Sequence, residues 1–178
     1  MARTENLASY MVLEMVKNAR SKVAAVIKQK NSNTLEVYSV LMLWKSMVGN
    51  RRPWDHKPFI KKTYGEWSRD SDTNTQFNFD IWSNIHYGYV GRSVGFSAWT
   101  LKAGAGYAQK MAGTNPPGYW MRRIDSLGDA DFLAAFDDPK DQAAIVIGIN
   151  LWDQYKLNIS TNKLVSAIRA RRFELQTK

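Results

Sequence analysis

Residues 79–96 read FDIWSNIHYGYVGRSVGF, placing an acid, an amide and an imidazole (Asp80, Asn84 and His86) among aromatic residues and glycines. His86 is suited to general acid or base work near neutral pH. Asn84 can orient a substrate amide or stabilise developing charge. Gly88, Gly91 and Gly95 permit tight backbone approach, but their spacing is not that of a phosphate-binding P-loop. The plainer reading is a histidine satisfied by a neighbouring carboxylate, with Tyr87, Tyr89 and Phe96 in the core.

Three more places could carry chemistry. In RRPWDHKPFI, residues 51–60, Asp55, His56 and Lys57 follow one another between two prolines that stiffen the backbone. Lys57 or Arg51 could hold Asp55 ionised; an ordinary turn with a salt bridge is the alternative. In FDDPKDQ, residues 136–142, Asp137, Asp138 and Asp141 lie close together. Asp138 is the natural helix cap, and Asp141 either joins a cleft or complements the helix dipole. Glu14 is the lone acid in YMVLEMVKN. In an apolar cleft its pKa would rise and suit it to general-acid work; on a wet edge it is a surface acid. Trp54, Trp67 and Trp82 lie near these groups, and exposed rings would stack on sugars or bases alike. Trp44, Trp99 and Trp152 are expected in the core.

Helices must position most of these groups. Apolar spacing predicts helices over 5–29, 35–48 and from a Ser97 cap to Gly113. A short helix is expected at 129–135, a long one after Asp138-Pro139, and a last one over about 161–175. The 35–48 helix is apolar nearly all round and is expected to be central, with Gly49-Asn50 at its end. Residues 50–78 read as irregular and polar, with room for short strands or a hairpin at 76–90. The expected architecture is a mostly α, compact single domain over 1–178, with a long irregular central region and at most a small hairpin.

Composition narrows the chemistry. The 178 residues are 44% hydrophobic and 23% charged, a globular balance. No apolar run is long enough for a membrane-spanning helix, so no membrane insertion is expected. The N-terminal stretch reads as a helix, not a signal peptide. The chain has no cysteine, which excludes disulfides, thiolate nucleophiles and sulfur-ligated zinc, and its two histidines cannot form a three-histidine metal site. A formal charge of +9 points to a polyanionic partner, either nucleic acid or the bacterial cell wall. The basic run SAIRARRFELQTK reads most simply as a solvated helix face.

The words RPWDHKP, FDIWSNIHYGYVG with its following GF, AGAGYAQ and DDPKDQ occur in an order and at intervals that resemble the bacterial polymorphic toxin type 44 family, over roughly residues 10–155. The C-terminal helix from about 161 lies beyond that resemblance. It implies an antibacterial effector, delivered by a secretion apparatus and neutralised by a cognate immunity protein. The positions it carries over are Asp55, Lys57, Asn84, Tyr87, Gly88, Gly91, Asp138 and Asp141. Other family members carry Asn at the position of His86, which moves weight toward Asp55, Asp80 and Glu14.

Two enzymatic readings follow. The first is a wall hydrolase acting on peptidoglycan glycan strands in the periplasm, where two carboxylates suffice without a cofactor. Glu14 would be the protonated acid and Asp55 or Asp80 the ionised partner. His86 and Asn84 would orient substrate, and Lys57, Tyr87, Trp54, Trp82, Asp138 and Asp141 would bind it. The second is a nuclease acting on RNA or DNA, using the basic charge with His86 and Lys57. A version needing a divalent metal would require Asp138 and Asp141 to converge with Asp55 or Asp80. A purely structural or binding module leaves the Asp/Asn/His clustering unexplained.

Overall fold

The computed structural model describes residues 1–103 and 138–178. Expectations at AGAGYAQ, Asp137 and 129–135 therefore lie outside the described residues, apart from Ala103 at a helix end. The chain begins with β1 (Ala2–Arg3), α1 (Thr4–Ala19) and α2 (Lys22–Asn31). The single helix expected over 5–29 is two helices. Ser21 makes the break: its hydroxyl accepts from the Ala24 amide at 3.1 Å and donates to the Asn18 carbonyl at 2.8 Å, capping α2.

Next come α3 (Val37–Val48), α4 (Lys57–Tyr64), β2 (Trp67–Arg69), β3 (Gln76–Asn78), α5 (Phe79–Ser93) and α6 (Ala98–Ala103). Ser97 caps α6 as expected, accepting from the Thr100 amide at 2.9 Å. The last two helices are α7 (Pro139–Tyr155) and α8 (Thr161–Ala170). Strand β2 pairs antiparallel with β3 and parallel with β1, so the described residues are mostly helical with one small sheet. Its hairpin covers 67–78 and not the expected 76–90, most of which is α5. The irregular middle also contains α4. No helix among the described residues is long and apolar enough to cross a membrane.

The expected centre also moves. Among the described side chains of α3 only Val40 and Trp44 are buried, and Leu35 just before it is almost fully exposed. Helix α5 takes the central place: eleven of its fifteen residues are buried. It packs backbone to backbone on α7. A Cβ on Gly88 would strike the Ile145 carbonyl oxygen, and one on Gly148 would strike the Ile85 carbonyl oxygen and lie 2.7 Å from the Tyr89 nitrogen. Among the tryptophans expected in the core, Trp44 is buried, Trp152 is half-buried, and Trp99 is exposed on α6.

A charged anchor ties α8 to the hairpin. Asp70 is fully enclosed; Arg169 donates to it from Nη2 at 2.6 Å and from Nε at 2.8 Å. Thr73 and the Asp72 amide also donate to Asp70, and Arg169 reaches Glu5 of α1 at 3.2 Å. Burial alone would raise the Asp70 pKa, but these donors hold it below the usual carboxylate range. Its stabilisation is present above the ordinary aspartate pKa and is lost as pH falls through the depressed one. Arg169→Ala is expected to cost about 2 kcal/mol, below the usual figure for a broken buried pair because Thr73 and the Asp72 amide remain. Urea unfolding near neutral pH measures this.

Candidate active site

Three helix starts converge on one group of polar side chains. Asn78 caps α5 by accepting from the Asp80 amide at 3.0 Å, which sets Asp80 in the first turn. Asn84, four residues on, lies on the same face. At the start of α4, Lys57 Nζ lies 3.2 Å from Asp80 Oδ1. At the start of α7, Asp138 caps the helix by accepting from the Lys140 amide at 2.8 Å, with Pro139 in the first turn. Asp141 stands in that turn and accepts from Asn84 Nδ2 at 2.8 Å.

The two carboxylates differ in setting. Burial pushes the Asp141 carboxyl up to about 6; Asp138 and Asp80 push the same way, and Lys57 and the Asn84 hydrogen bond oppose them. Asp80 is half-buried and paired with a lysine. One acid is therefore biased toward holding a proton at mildly acidic pH, beside another whose charge is matched. Such a divided pair can donate a proton and stabilise a developing cation in one reaction.

A second group lies on another side of α5. His86 is fully buried, and its Nε2 is 2.9 Å from Asn18 Nδ2 of α1. His56, immediately before α4, packs its ring edge-on against His86 with centroids 4.3 Å apart. His56 Nδ1 meets the Tyr10 hydroxyl of α1 at 3.1 Å. The other nitrogens, His56 Nε2 and His86 Nδ1, are buried without a hydrogen-bond partner among the described residues. Burial lowers the pKa of both rings, that of His86 far below the usual histidine range.

The structure thus brings together Lys57, Asp80, Asn84 and Asp141, with Asp138 close enough to act on Asp141. It sets other expected residues apart. Glu14 pairs with Lys17 at 3.0 Å and acts electrostatically on Tyr10 and His56. Asp55 accepts the Arg51 amide at 2.8 Å and the Lys57 amide at 3.2 Å, so both its oxygens shape the 51–57 turn. Arg51 there has φ 56°. Lys57 reaches Asp80 with its side chain and Asp55 only through its amide. His86 meets the Asn18 amide, not the carboxylate of the plainer reading.

Trp54 and Trp82 are buried, so their rings pack against protein and leave no face for a sugar or base. Trp54 lies 6.4 Å from the His86 ring, and Tyr87 packs against Trp44 at 5.3 Å. Among the described residues no group of three or more His, Cys, Asp or Glu is placed to hold a metal.

Sequence reasoning left His56, Tyr10 and Asn18 out of the site. The available signal was that His56 and His86, the chain's two histidines, both fall inside family-like words. Asn18 and Tyr10 carried no signal, because pairing across 68 and 46 residues is set by helix packing. Residues 43–154 match the family model for bacterial toxin 44, so α1 and its partners to the histidines lie outside the matched segment. No curated protein and no solved structure matches the chain.

Proposed function

Because the chain belongs to the bacterial toxin 44 family, we propose that this toxin is a hydrolase that cleaves the glycan strands of peptidoglycan. The observation that carries this reading is the divided carboxylate pair: Asp141 lifted to about 6 and Asp80 paired with Lys57. Two acids in unlike settings are the minimal equipment for breaking a glycosidic bond. Asp141 replaces Glu14 as the proton donor, giving its proton to the leaving glycosidic oxygen. Asp80, ion-paired with Lys57, faces the positive charge that develops at the anomeric carbon. Asn84 holds Asp141 in register, and water completes hydrolysis by adding its oxygen to that carbon and returning a proton to Asp141. This chemistry needs no cofactor.

Toxins of this kind are delivered into target bacteria and imply a cognate immunity protein in the producer. On the glycan reading the working compartment is the periplasm, and the +9 charge favours the anionic wall. The nuclease alternative keeps Lys57 and the basic charge but leaves the raised acid without a task.

The test sets purified sacculi beside total RNA, with products identified by mass. Soluble glycan fragments with intact RNA are expected, together with lysis only when the protein is exported to the periplasm. RNA fragments from untouched sacculi, with killing from the cytoplasm, would sink the reading.

A further inference from the structure

We propose that the His56–His86 contact is an acid-sensitive latch, which holds the 51–57 turn against α5 while both rings are neutral and releases it when one takes a proton. The geometry carries the argument. The chain's two histidines meet ring to ring inside the core, each with one nitrogen partnered and one buried without a partner among the described residues. A charge placed on either ring would sit beside the other imidazole with no carboxylate bonded to it. A buried unpaired charge is among the costliest states a core can hold.

The groups that face the pair set the order of events. From α1 come Tyr10, Glu14, Lys17 and Asn18; from the turn itself comes Asp55. Glu14 and Asp55 favour a charge on His56, whereas Lys17 and burial oppose it. His86 feels burial and the neighbouring His56, both of which oppose its charge. His56 therefore takes the proton first.

Which side then moves follows from packing. His86 sits mid-way along α5, whose backbone is locked on α7 at Gly88 and Gly148. His56 stands at the mouth of an eight-residue helix, held by a turn. The turn is the weaker partner, so it leaves. Its departure carries Lys57 away from Asp80, and on the glycan-hydrolase reading this silences the site as well.

Since burial depresses the pKa of both rings, the stability they confer is complete above the ordinary histidine pKa. It is lost as pH falls from there toward the depressed values, by up to tenfold in the folding equilibrium per histidine per pH unit.

Hydrogen exchange on the full chain at about pH 7.5 and about pH 5, corrected for intrinsic rates, tests the latch. The amides of Trp54, Asp55 and Ile60, bonded to Met47, Arg52 and His56 carbonyls, are expected to lose roughly tenfold protection at the lower pH. Amides in α5 and α7 should keep theirs. In His56→Phe, which keeps a ring but leaves only His86 to take a proton, the turn should lose less protection at the lower pH than it does in the wild type. Equal protection of the wild-type turn at both pH values, or the same loss in His56→Phe, overturns the proposal. If that variant does not fold, proton NMR of the wild-type imidazoles decides: either ring titrating at the ordinary value, with the turn still protected, is equally fatal. None of these readouts involves catalysis, so untouched sacculi would overturn the glycan reading alone.

Discussion

Asp141→Asn is expected to lower the rate of glycan release from sacculi by roughly 10²–10⁴-fold, the range contributed by a general acid. The substitution separates chemistry from folding unusually well. The new amide oxygen can still accept from Asn84 Nδ2, the hydrogen bond that seats the side chain at 2.8 Å. The variant also removes a cost. The folded pKa of Asp141, about 6, lies above the unfolded value of 3.8, so ionisation penalises the fold. That penalty is absent below the unfolded pKa, grows as pH rises toward 6, and is complete above it. Asp141 is only part-buried, and solvent screening reduces the penalty to about 1 kcal/mol at neutral pH. Asp141→Asn should therefore melt no lower than wild type at pH 7 while losing activity. Wild-type activity should decline as pH rises above about 6, as the donor empties. A rate unchanged in Asp141→Asn, or a flat profile through that window, would remove Asp141 from the mechanism.

Legibility in the sequence followed how a side chain's role is encoded. The Asp138-Pro139 start of α7 and the Ser97 cap of α6 were readable because caps act over two or three residues. The small sheet and dominant helix followed from the scarcity of alternating patterns. Helix α5 was not readable as the centre. A helix buried nearly all round loses the polar face that gives helical period, and Gly88 and Gly91 lower its propensity further. Helix α3 misled for the complementary reason: its apolar content suggested burial, yet most of its described side chains are only partly covered.

At the site, Asp80, Asn84, Lys57 and Asp141 were each recognised as polar groups in suggestive company. Their grouping was not, since it depends on three helix starts meeting in space. The proposed move of the acid role from Glu14 to Asp141 has the same origin. Glu14 stood out because its sequence neighbours are apolar, but the burial that raises a pKa comes from tertiary neighbours, and Asp141 has those.

The seam between α5 and α7 links the fold to that chemistry, and Gly88→Ala tests the link. The added methyl would meet the Ile145 backbone, which cannot turn aside as a side chain can. Overpacking costs typically 1–3 kcal/mol, and a backbone clash belongs at the top of that range. The helix-propensity gain of about 1 kcal/mol returns only part of it. A net loss of about 2 kcal/mol predicts a melting temperature lower by roughly 4–8 °C. Gly148→Ala, which meets the Ile85 carbonyl and the Tyr89 nitrogen, should do at least as much. Gly91→Ala is the control: its methyl meets the Leu101 side chain and the Trp44 ring edge, so side chains can yield and the effect should be smaller.

Gly88→Ala should also carry a catalytic consequence separate from the stability loss. Gly88 lies one turn beyond Asn84 on α5, and Gly148 lies two turns beyond Asp141 on α7, so one seam fixes both the helix separation and the Asn84–Asp141 bond. Forcing the helices apart at Gly88 stretches that bond and lets solvent reach Asp141, which lowers its pKa toward the ordinary value. At a temperature where the variant remains folded, its activity should fall about tenfold and its decline with pH should begin earlier. A variant that melts lower yet keeps wild-type activity and pH dependence would show that the seam supports the fold alone.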